Sequence, residues 1–389
     1  MDDTSFRIKV CQSLSEVDPS SWNAVANPSG ARYDPFLSWE FLEAMELSGA
    51  ATPHTGWSPC HLLVEAEGNT LRGAMPLYVK THSQGEFVFD HSWANAYENA
   101  GGSYYPKLLS AVPFTPVTGR RRLVPDGPDA ERIKLALLSG ALQLASENNF
   151  SSVHLNFLPK AEAEKLGQTG MLHRSDQQFH WRNEAYQSFD DFLAALSSAK
   201  RKNLRKERKK AQDGLTFQHI TGDAITENHW DAFYAFYLDT GSRKWGSPYL
   251  NRETFSLLSE RLADKLLLIF AMEDEQPIAG ALNLIGSDTL YGRYWGCSKP
   301  RPMLHFETCY YQAIDYAIAH KLKYVEAGAQ GGHKLARGYA PVLTHSAHWI
   351  AHEGLRDAIA DYLERERDAV EADQDYLVAR TPFKKDTLK

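Results

Sequence analysis

Apolar and polar positions along this chain form two series that run in the same order. In the first half, residues 61–66 and 71–80 are short β-forming runs on either side of Glu67, Gly68 and Asn69, a turn-forming triplet. An extended run at 87–90, apolar residues at helical spacing through 133–146 and an apolar run at 153–157 follow. The second half repeats the series: strands over 266–272, 278–285 and 290–296, a helix over 306–320 and a strand over 324–327. Even the local text matches, since GAMPL, Gly73 to Leu77, aligns with GALNL, Gly280 to Leu284, each on the second strand of its hairpin. Strands alternating with helices predict an α/β protein. A repeat this long predicts two copies of one α/β unit, not a solenoid.

Between the copies, 168–178 reads as a connection and 179–186 as a strand. Ser188 and Asp191 have the spacing of a capping box and open a long helix over 189–212, which Gly214 stops. From 354 onward, Leu355, Ile359, Tyr362, Leu363 and Val370 recur at helical spacing and predict an amphipathic helix docked on the body. The predicted division is therefore 1–178, then 179–353 including the helix 189–212, then a tail over 354–389.

Composition sharpens this picture. A chain of 389 residues, 43% hydrophobic and 23% charged, has room for two cores. No run approaches the roughly 18 apolar residues of a membrane span, and MDDTSFRIKVCQSLSEVD lacks the basic start and apolar core of a secretory signal. The expectation is a cytoplasmic protein. Cys11, Cys60, Cys297 and Cys309 have no CxxC spacing, which argues against a disulfide framework or a zinc ribbon. The net charge of -7 is uneven, because eight basic residues and one acid, Glu207, fall between Lys200 and Lys210 and give that segment +7. Arg201, Arg205 and Arg208 lie at i, i+4 and i+7 and are candidate contacts for a phosphodiester backbone, tRNA included; the alternative is a solvated face.

The candidate chemistry sits in EAGAQGGHKLARGYAP, residues 326–341, at the C-terminal edge of a predicted strand, where α/β sheets hold ligands. Gly328, Gly331 and Gly332 permit positive φ, while Gln330, Gly331, Lys334 and Arg337 are candidate substrate contacts. His333 is the first candidate for a general base, because an imidazole titrates near neutrality, and Glu326 is the second. In LHFETCYYQ, His305 and Glu307 are further catalytic candidates at a helix start, whereas Phe306, Tyr310 and Ala317 read as core. Cys309 reads as a small apolar filler on the helix, not as a nucleophile. Asn283 and Tyr294 on neighbouring strands, and Trp245 with Arg243 and Lys244 as a lid, complete the substrate contacts. His345, His348 and His352 suggest no metal site, because in a strand the first two fall on opposite faces.

GEFVFDHSWANAYENAGGSYYPKLLSAVPFTPVTG, RKNLRKERKKA, TGSRKWGSPYL, LYGRYWGC, LHFETCYYQAIDYAI and GAQGGHKLARGY together resemble the FemAB-like predicted N-acyltransferases, a branch of the GNAT superfamily labelled peptidoglycan biosynthesis or recognition proteins. The resemblance covers nearly the whole chain. It implies two tandem GNAT-like domains with the acyl-CoA N-acyltransferase fold, and acyl or aminoacyl transfer to an amine-bearing small molecule or peptide. In such a sheet two strands splay at the acyl site, and YGRYWG, with its two glycines, is the candidate place. The family loop reads GAQGEHK, whereas this chain has Gly332 where the acid is expected. The link CSKPRPMLHFE, 297–307, also lacks the glycine loop that cradles coenzyme A pyrophosphate, which leaves Lys299 and Arg301 as phosphate contacts through their side chains. No tightly bound cofactor is implied, and the co-substrate is acyl-CoA or aminoacyl-tRNA. Besides an enzyme, two readings remain open: a non-catalytic module that recognises a cell-wall precursor or peptide, and a tRNA-binding protein.

Overall fold

The structure, a computed structural model, describes residues 6–243, 248–329 and 331–384. Its strands in chain order are β1 (Arg7–Cys11), β2 (Trp57–Pro59), β3 (His61–Glu65), β4 (Leu71–Met75), β5 (Tyr78–Lys80), β6 (Lys107–Ser110) and β7 (Ser152–Leu158). They continue as β8 (Leu172–Arg182), β9 (Thr216–Thr221), β10 (Leu266–Glu273), β11 (Gln276–Ile285), β12 (Thr289–Cys297), β13 (Tyr324–Glu326) and β14 (Ala340–Ile350). The chain forms two compact units, Met1–Asp176 with Leu343–Glu371, and Gln177–Val342 with Ala372–Lys389. The expected division put 343–353 in the second domain and 354–389 in a separate tail. The structure instead groups Leu343–Glu371 with the first unit, because β14 pairs with β7 from His345 to Ile350.

In the first unit β1, β3 and β4 form a small sheet, and β2, β5, β6, β7 and β14 lie side by side in that order. The expected hairpin is β3–β4, with Gly68 and Asn69 at positive φ in its turn. Helix Ala130–Glu147 crosses between the parallel strands β6 and β7. It buries Ile133, Leu137, Leu138, Ala141 and Ala145 against Leu108, Val153 and Leu155. A Cβ on Gly73 would lie 2.6 Å from the Ile133 side chain, so the glycine of GAMPL admits that helix. Residues 87–90 are not a strand, because Phe87 takes a φ of 58° and the chain turns into helix His91–Asn99. The sequence pattern missed β1, β2 and β6, the last only four residues and opening on a lysine.

In the second unit the order is β8, β13, β12, β11, β10, β9, antiparallel throughout except for the β12–β13 pair. Leu267, Ile269, Ala281, Leu290 and Val325 pack under Ile314, Ala317 and Ile318 of helix Gln312–Ala319. The expected connection 168–178 is partly strand, since β8 starts at Leu172. The expected single helix 189–212 is two, Phe189–Ala195 and Ser198–Ala211. Ser188 Oγ accepts from the Asp191 amide at 3.1 Å, and the Asp191 carboxylate accepts from the Gln187 amide at 3.0 Å. The break at Leu196 is tied to the C-terminal segment, where the Ser197 amide donates to Pro382 O at 2.9 Å and the Lys384 amide donates to Ala195 O at 3.0 Å. The last helix, Glu353–Val378, buries Leu355, Ile359 and Leu363 but leaves Tyr362 exposed. Among the described residues no helix is long and apolar enough to cross a membrane.

Candidate active site

In the second unit β12 and β13 pair over Thr289↔Tyr324, Leu290↔Val325 and Tyr291↔Glu326, and then part. β13 ends at Glu326 while β12 runs on to Cys297. The split has a local cause on the other side of β12, where the register to β11 slips between Leu282 and Asn283 and leaves Arg293 as the extra residue of a bulge. A pocket occupies the opening, lined by Asn283, Gly292, Arg293, Tyr294, His305 and Cys309 among others. The two glycines of YGRYWG differ in role. A Cβ on Gly296 would lie 2.0 Å from Phe236 O, so Gly296 seats helix Glu227–Arg243, whereas Gly292 stands at the pocket with its Cβ position 3.2 Å from Asn283 Oδ1.

Asn283 is fully buried, and its Oδ1 has no hydrogen-bond partner among the described residues. Glu326 lies 3.6 Å from the Arg293 guanidinium and 3.8 Å from His180 Nδ1. Burial pushes the His180 imidazole below its ordinary range, although Glu326 pulls the other way. After β12 the helical segment widens into a π-turn over Glu307–Tyr311, a departure from α geometry that recurs at functional sites. His305 and Cys309 line the pocket there, and the Tyr310 hydroxyl shares a 2.9 Å hydrogen bond with His333 Nε2. The His333 ring sits 5.5 Å from Phe306 and 6.3 Å from His305, centroid to centroid. Tyr310 is buried as expected of core, but its hydroxyl serves the loop. Cys309 departs from the filler expectation, because it is only half-buried and lines the pocket.

In the loop Gly328 and Gly331 take positive φ, 78° and 125°, whereas Gly332 does not and opens the 3-10 turn Gly332–Arg337. His333 is exposed. Lys334 is 1% exposed and donates to Gly328 O at 2.9 Å; burial brings its ammonium down to about 8, with Arg293 adding to the shift. Trp245 and Gln330 lie outside the described residues, as does Lys244.

The remaining candidates fix the architecture around the pocket. Arg337 donates to Glu207 at 2.9 Å and to His333 O at 2.7 Å, and stacks 3.4 Å over Phe306. Glu307 Oε1 accepts from Arg208 at 3.1 Å, Gln212 at 2.9 Å and Gln312 at 2.8 Å, and burial raises its carboxyl above the usual range. Arg208 also pairs with Asp315 and stacks 4.1 Å over Phe189. It therefore departs from the expected outward stripe with Arg201 and Arg205. The reason is periodicity: Leu204, Glu207, Arg208 and Ala211 fall at i, i+3, i+4 and i+7 and form the inward face of Ser198–Ala211. Arg205 is exposed and pairs with Asp190 at 2.8 Å, and Arg201 is half-buried. Lys299 and Arg301 both pair with Glu273. The amides of Leu304, Phe306 and Glu307 already donate to Arg301 O or Met303 O, so this helix start offers few open donors.

A family model for peptidoglycan biosynthesis/recognition proteins, FemAB-like, matches residues 13–385. This chain belongs to the FemAB-like family. No curated protein matches it in sequence. Among solved structures, FemX is similar at TM-score 0.55 and 13% identity, over 88% of this chain and 98% of that one. The C-terminal domain of a putative lysylphosphatidylglycerol synthetase from Agrobacterium fabrum is similar at TM-score 0.50 and 9% identity, over 91% and 97%. A tandem GNAT protein from the clavulanic acid biosynthesis pathway matches at TM-score 0.46 and 11% identity, over 90% and 99%. At such identities the likeness is one of fold, and the FemAB-like chain is a tandem of two GNAT-like domains.

The first domain of this FemAB-like protein has the corresponding parallel pair, β6 and β7, joined over Leu108↔Val153, Leu109↔His154 and Ser110↔Leu155. Beyond it the chain fills the gap itself. The fully buried Arg121 donates to Asn156 O at 2.9 Å and to Val117 O at 2.6 Å, and the Gly119 amide donates to Phe157 O at 2.9 Å. A buried polar cluster lies elsewhere in the same domain. Lys107 donates to Ser83 and Glu86, both at 2.8 Å, and to Asp90, which also accepts from the Tyr104 hydroxyl at 2.8 Å. His154 and His348 face each other Nδ1 to Nδ1 at 2.6 Å, and burial holds His154 down at about 3 and His348 well below the ordinary imidazole range. His345 bonds His173 at 3.1 Å, and His352 Nδ1 accepts from the Leu355 amide at 3.2 Å.

Proposed function

We propose that this protein is an N-acyltransferase or aminoacyltransferase that forms an amide bond on an amine-bearing acceptor, in the β12–β13 opening of its second domain. The observation that carries this reading is a pocket where two parallel strands part, lined by His305, with His333 bonded to its Tyr310, Glu326 beside its Arg293, and Lys334 buried in the loop that follows β13. Amide formation needs a base for the ammonium proton, donors for the tetrahedral oxyanion and a proton for the leaving group. His333 takes the ammonium proton, oriented by the Tyr310 hydroxyl on its Nε2. The oxyanion forms against the free edge of β12 and the buried charge of Lys334, and His305 returns a proton to the leaving group. Asn283 Oδ1 accepts an N–H of the bound substrate, and Tyr294 and Gly331 shape the walls. Glu326 holds Arg293 in the bulge, while Glu307 and Arg337 act by fixing the helix and loop.

The family description suggests a cell-wall precursor peptide as acceptor. The bonded amides of Leu304, Phe306 and Glu307 and the pairing of Lys299 and Arg301 with Glu273 speak for an aminoacyl-tRNA donor over coenzyme A. The outer face of the basic helix, with Arg205, the half-buried Arg201 and the exposed lysines, would track the tRNA backbone in the cytoplasm. Acetyl-CoA and alanyl-tRNA, each offered with a muramyl pentapeptide, test the proposal by mass spectrometry of the product. The expected result is an amide from one donor and a loss of about 100-fold or more in His333→Ala at unchanged melting temperature. No product from either donor, with peptide affinity that survives in His333→Ala, would leave a binding module instead.

A further inference from the structure

We infer that Cys309 carries the acyl group covalently: its thiol takes the group from the donor as a thioester and hands it to the acceptor amine. The inference rests on the reading of the β12–β13 opening as the site of acyl transfer. Three of the four cysteines, Cys11, Cys60 and Cys297, are at most 6% exposed, whereas Cys309 is half-buried and forms part of the pocket wall. Its position is fixed by its neighbours on the π-turn, since Glu307 is held by Arg208, Gln212 and Gln312, and the Tyr310 hydroxyl is bonded to His333. Lys334 and Cys309 act on each other electrostatically, and Arg293 lines the same pocket. Fixed positive charge beside a thiol favours the thiolate, which is the reactive form.

A second observation points to a ligand in the same pocket. Asn283, 0% exposed, lines it with an Oδ1 that has no partner among the described residues, and a buried carbonyl oxygen without a donor costs about 1–3 kcal/mol. An N–H on the acyl donor, such as an aminoacyl ammonium or the amide of a pantetheine arm, meets that need.

The chemistry balances with groups already present. The Cys309 thiol gives its proton to His305, which lines the same pocket, and the sulfur attacks the donor carbonyl. The donor C–S bond of a thioester, or the C–O bond of a tRNA ester, breaks, and the leaving thiolate or alkoxide takes the proton from His305. The acceptor amine then attacks S-acyl Cys309, the C–N bond forms, and the departing thiolate recovers its proton from the new ammonium.

The test uses the full chain with acetyl-CoA or alanyl-tRNA and no acceptor, followed by peptide mapping before and after neutral hydroxylamine, which cleaves thioesters and leaves amides. One hydroxylamine-labile acyl group on Cys309 is expected from the productive donor, with none on the three buried cysteines. Cys309→Ala should lose the label and at least about 100-fold of amide formation. Cys309→Ser, close in shape, should melt as wild type does and lose the labile adduct. Acyl groups on lysines alone, or a Cys309→Ala variant within about twofold of wild-type transfer, overturn the covalent step while leaving acyl transfer standing. Absence of both adduct and amide product from wild type overturns the two together.

Discussion

At Gly331 the backbone φ is 125°, and a Cβ would lie 2.7 Å from Cε1 of His333. A β-branched residue there meets two penalties at once, a backbone region L residues avoid and a clash with the candidate base. Gly331→Val is expected to lose about tenfold or more of transfer, because a small displacement of a catalytic group is enough for that, and to melt close to wild type, because the turn is not core. Undiminished turnover in that variant would make the loop a plain connection. The glycines and His333 were legible in the sequence because a titratable cluster among glycines has no use in a packed core. Cys309 and Arg293 were not. The exposure of the thiol depends on the surrounding packing, and the bulge at Arg293 depends on strand register, so neither is visible in residue type. Glu307 and Arg337 show the converse: a charge beside a candidate base reads alike whether it binds substrate or an internal partner.

Among the elements, the basic helix Ser198–Ala211 has two separate duties. Its inward stripe holds the site, since Glu207, the single acid between 200 and 210, binds both Arg337 and the Tyr311 hydroxyl, and Arg208 binds Glu307. Lys202, Arg205, Lys206, Lys209 and Lys210 remain exposed. If about four of these neutralise tRNA phosphates, filter binding across a salt series should give a log-log slope of roughly -3 to -4, and Lys206→Gln with Lys209→Gln should flatten it by about two. Glu207→Gln should leave the slope unchanged while lowering turnover. A salt-independent affinity sinks the tRNA contact. The charge run was easy to read, but its division into two faces was not, because Arg201, Arg205 and Arg208 share a spacing that fits either face until the buried Leu204 and Ala211 are known. The central strands were legible as apolar runs. β1 and β9, largely exposed and interrupted by polar residues, and β2 and β6, three and four residues long, were not, and the helix break at Leu196 depends on a segment nearly 190 residues away in the chain.

At the level of the whole molecule, the repeat announced by GAMPL and GALNL corresponds to two domains whose cores follow one plan and whose interiors differ in charge. The first domain encloses imidazoles that are neutral when folded. His154 titrates at about 3 in the folded chain against an unfolded value near 6.5, so between those values the unfolded chain binds more protons. Stability is then complete above about pH 6.5 and falls with acid, by up to about 1.4 kcal/mol per pH unit for each such imidazole. The melting temperature should drop from about pH 7 to about pH 5, and less steeply in His154→Asn; parallel profiles would contradict this assignment. The filled gap between β6 and β7 bears on descent. If the proposed transferase arose by duplication, it started with two equivalent centres, and either copy was free to decay. Removing Arg121 now would not restore a lost pocket, because it strands the buried carbonyls of Asn156 and Val117 at about 1–3 kcal/mol each. A single backward step at Arg121 therefore lowers stability before any space is regained, and on that reading the asymmetry between the copies behaves as a ratchet.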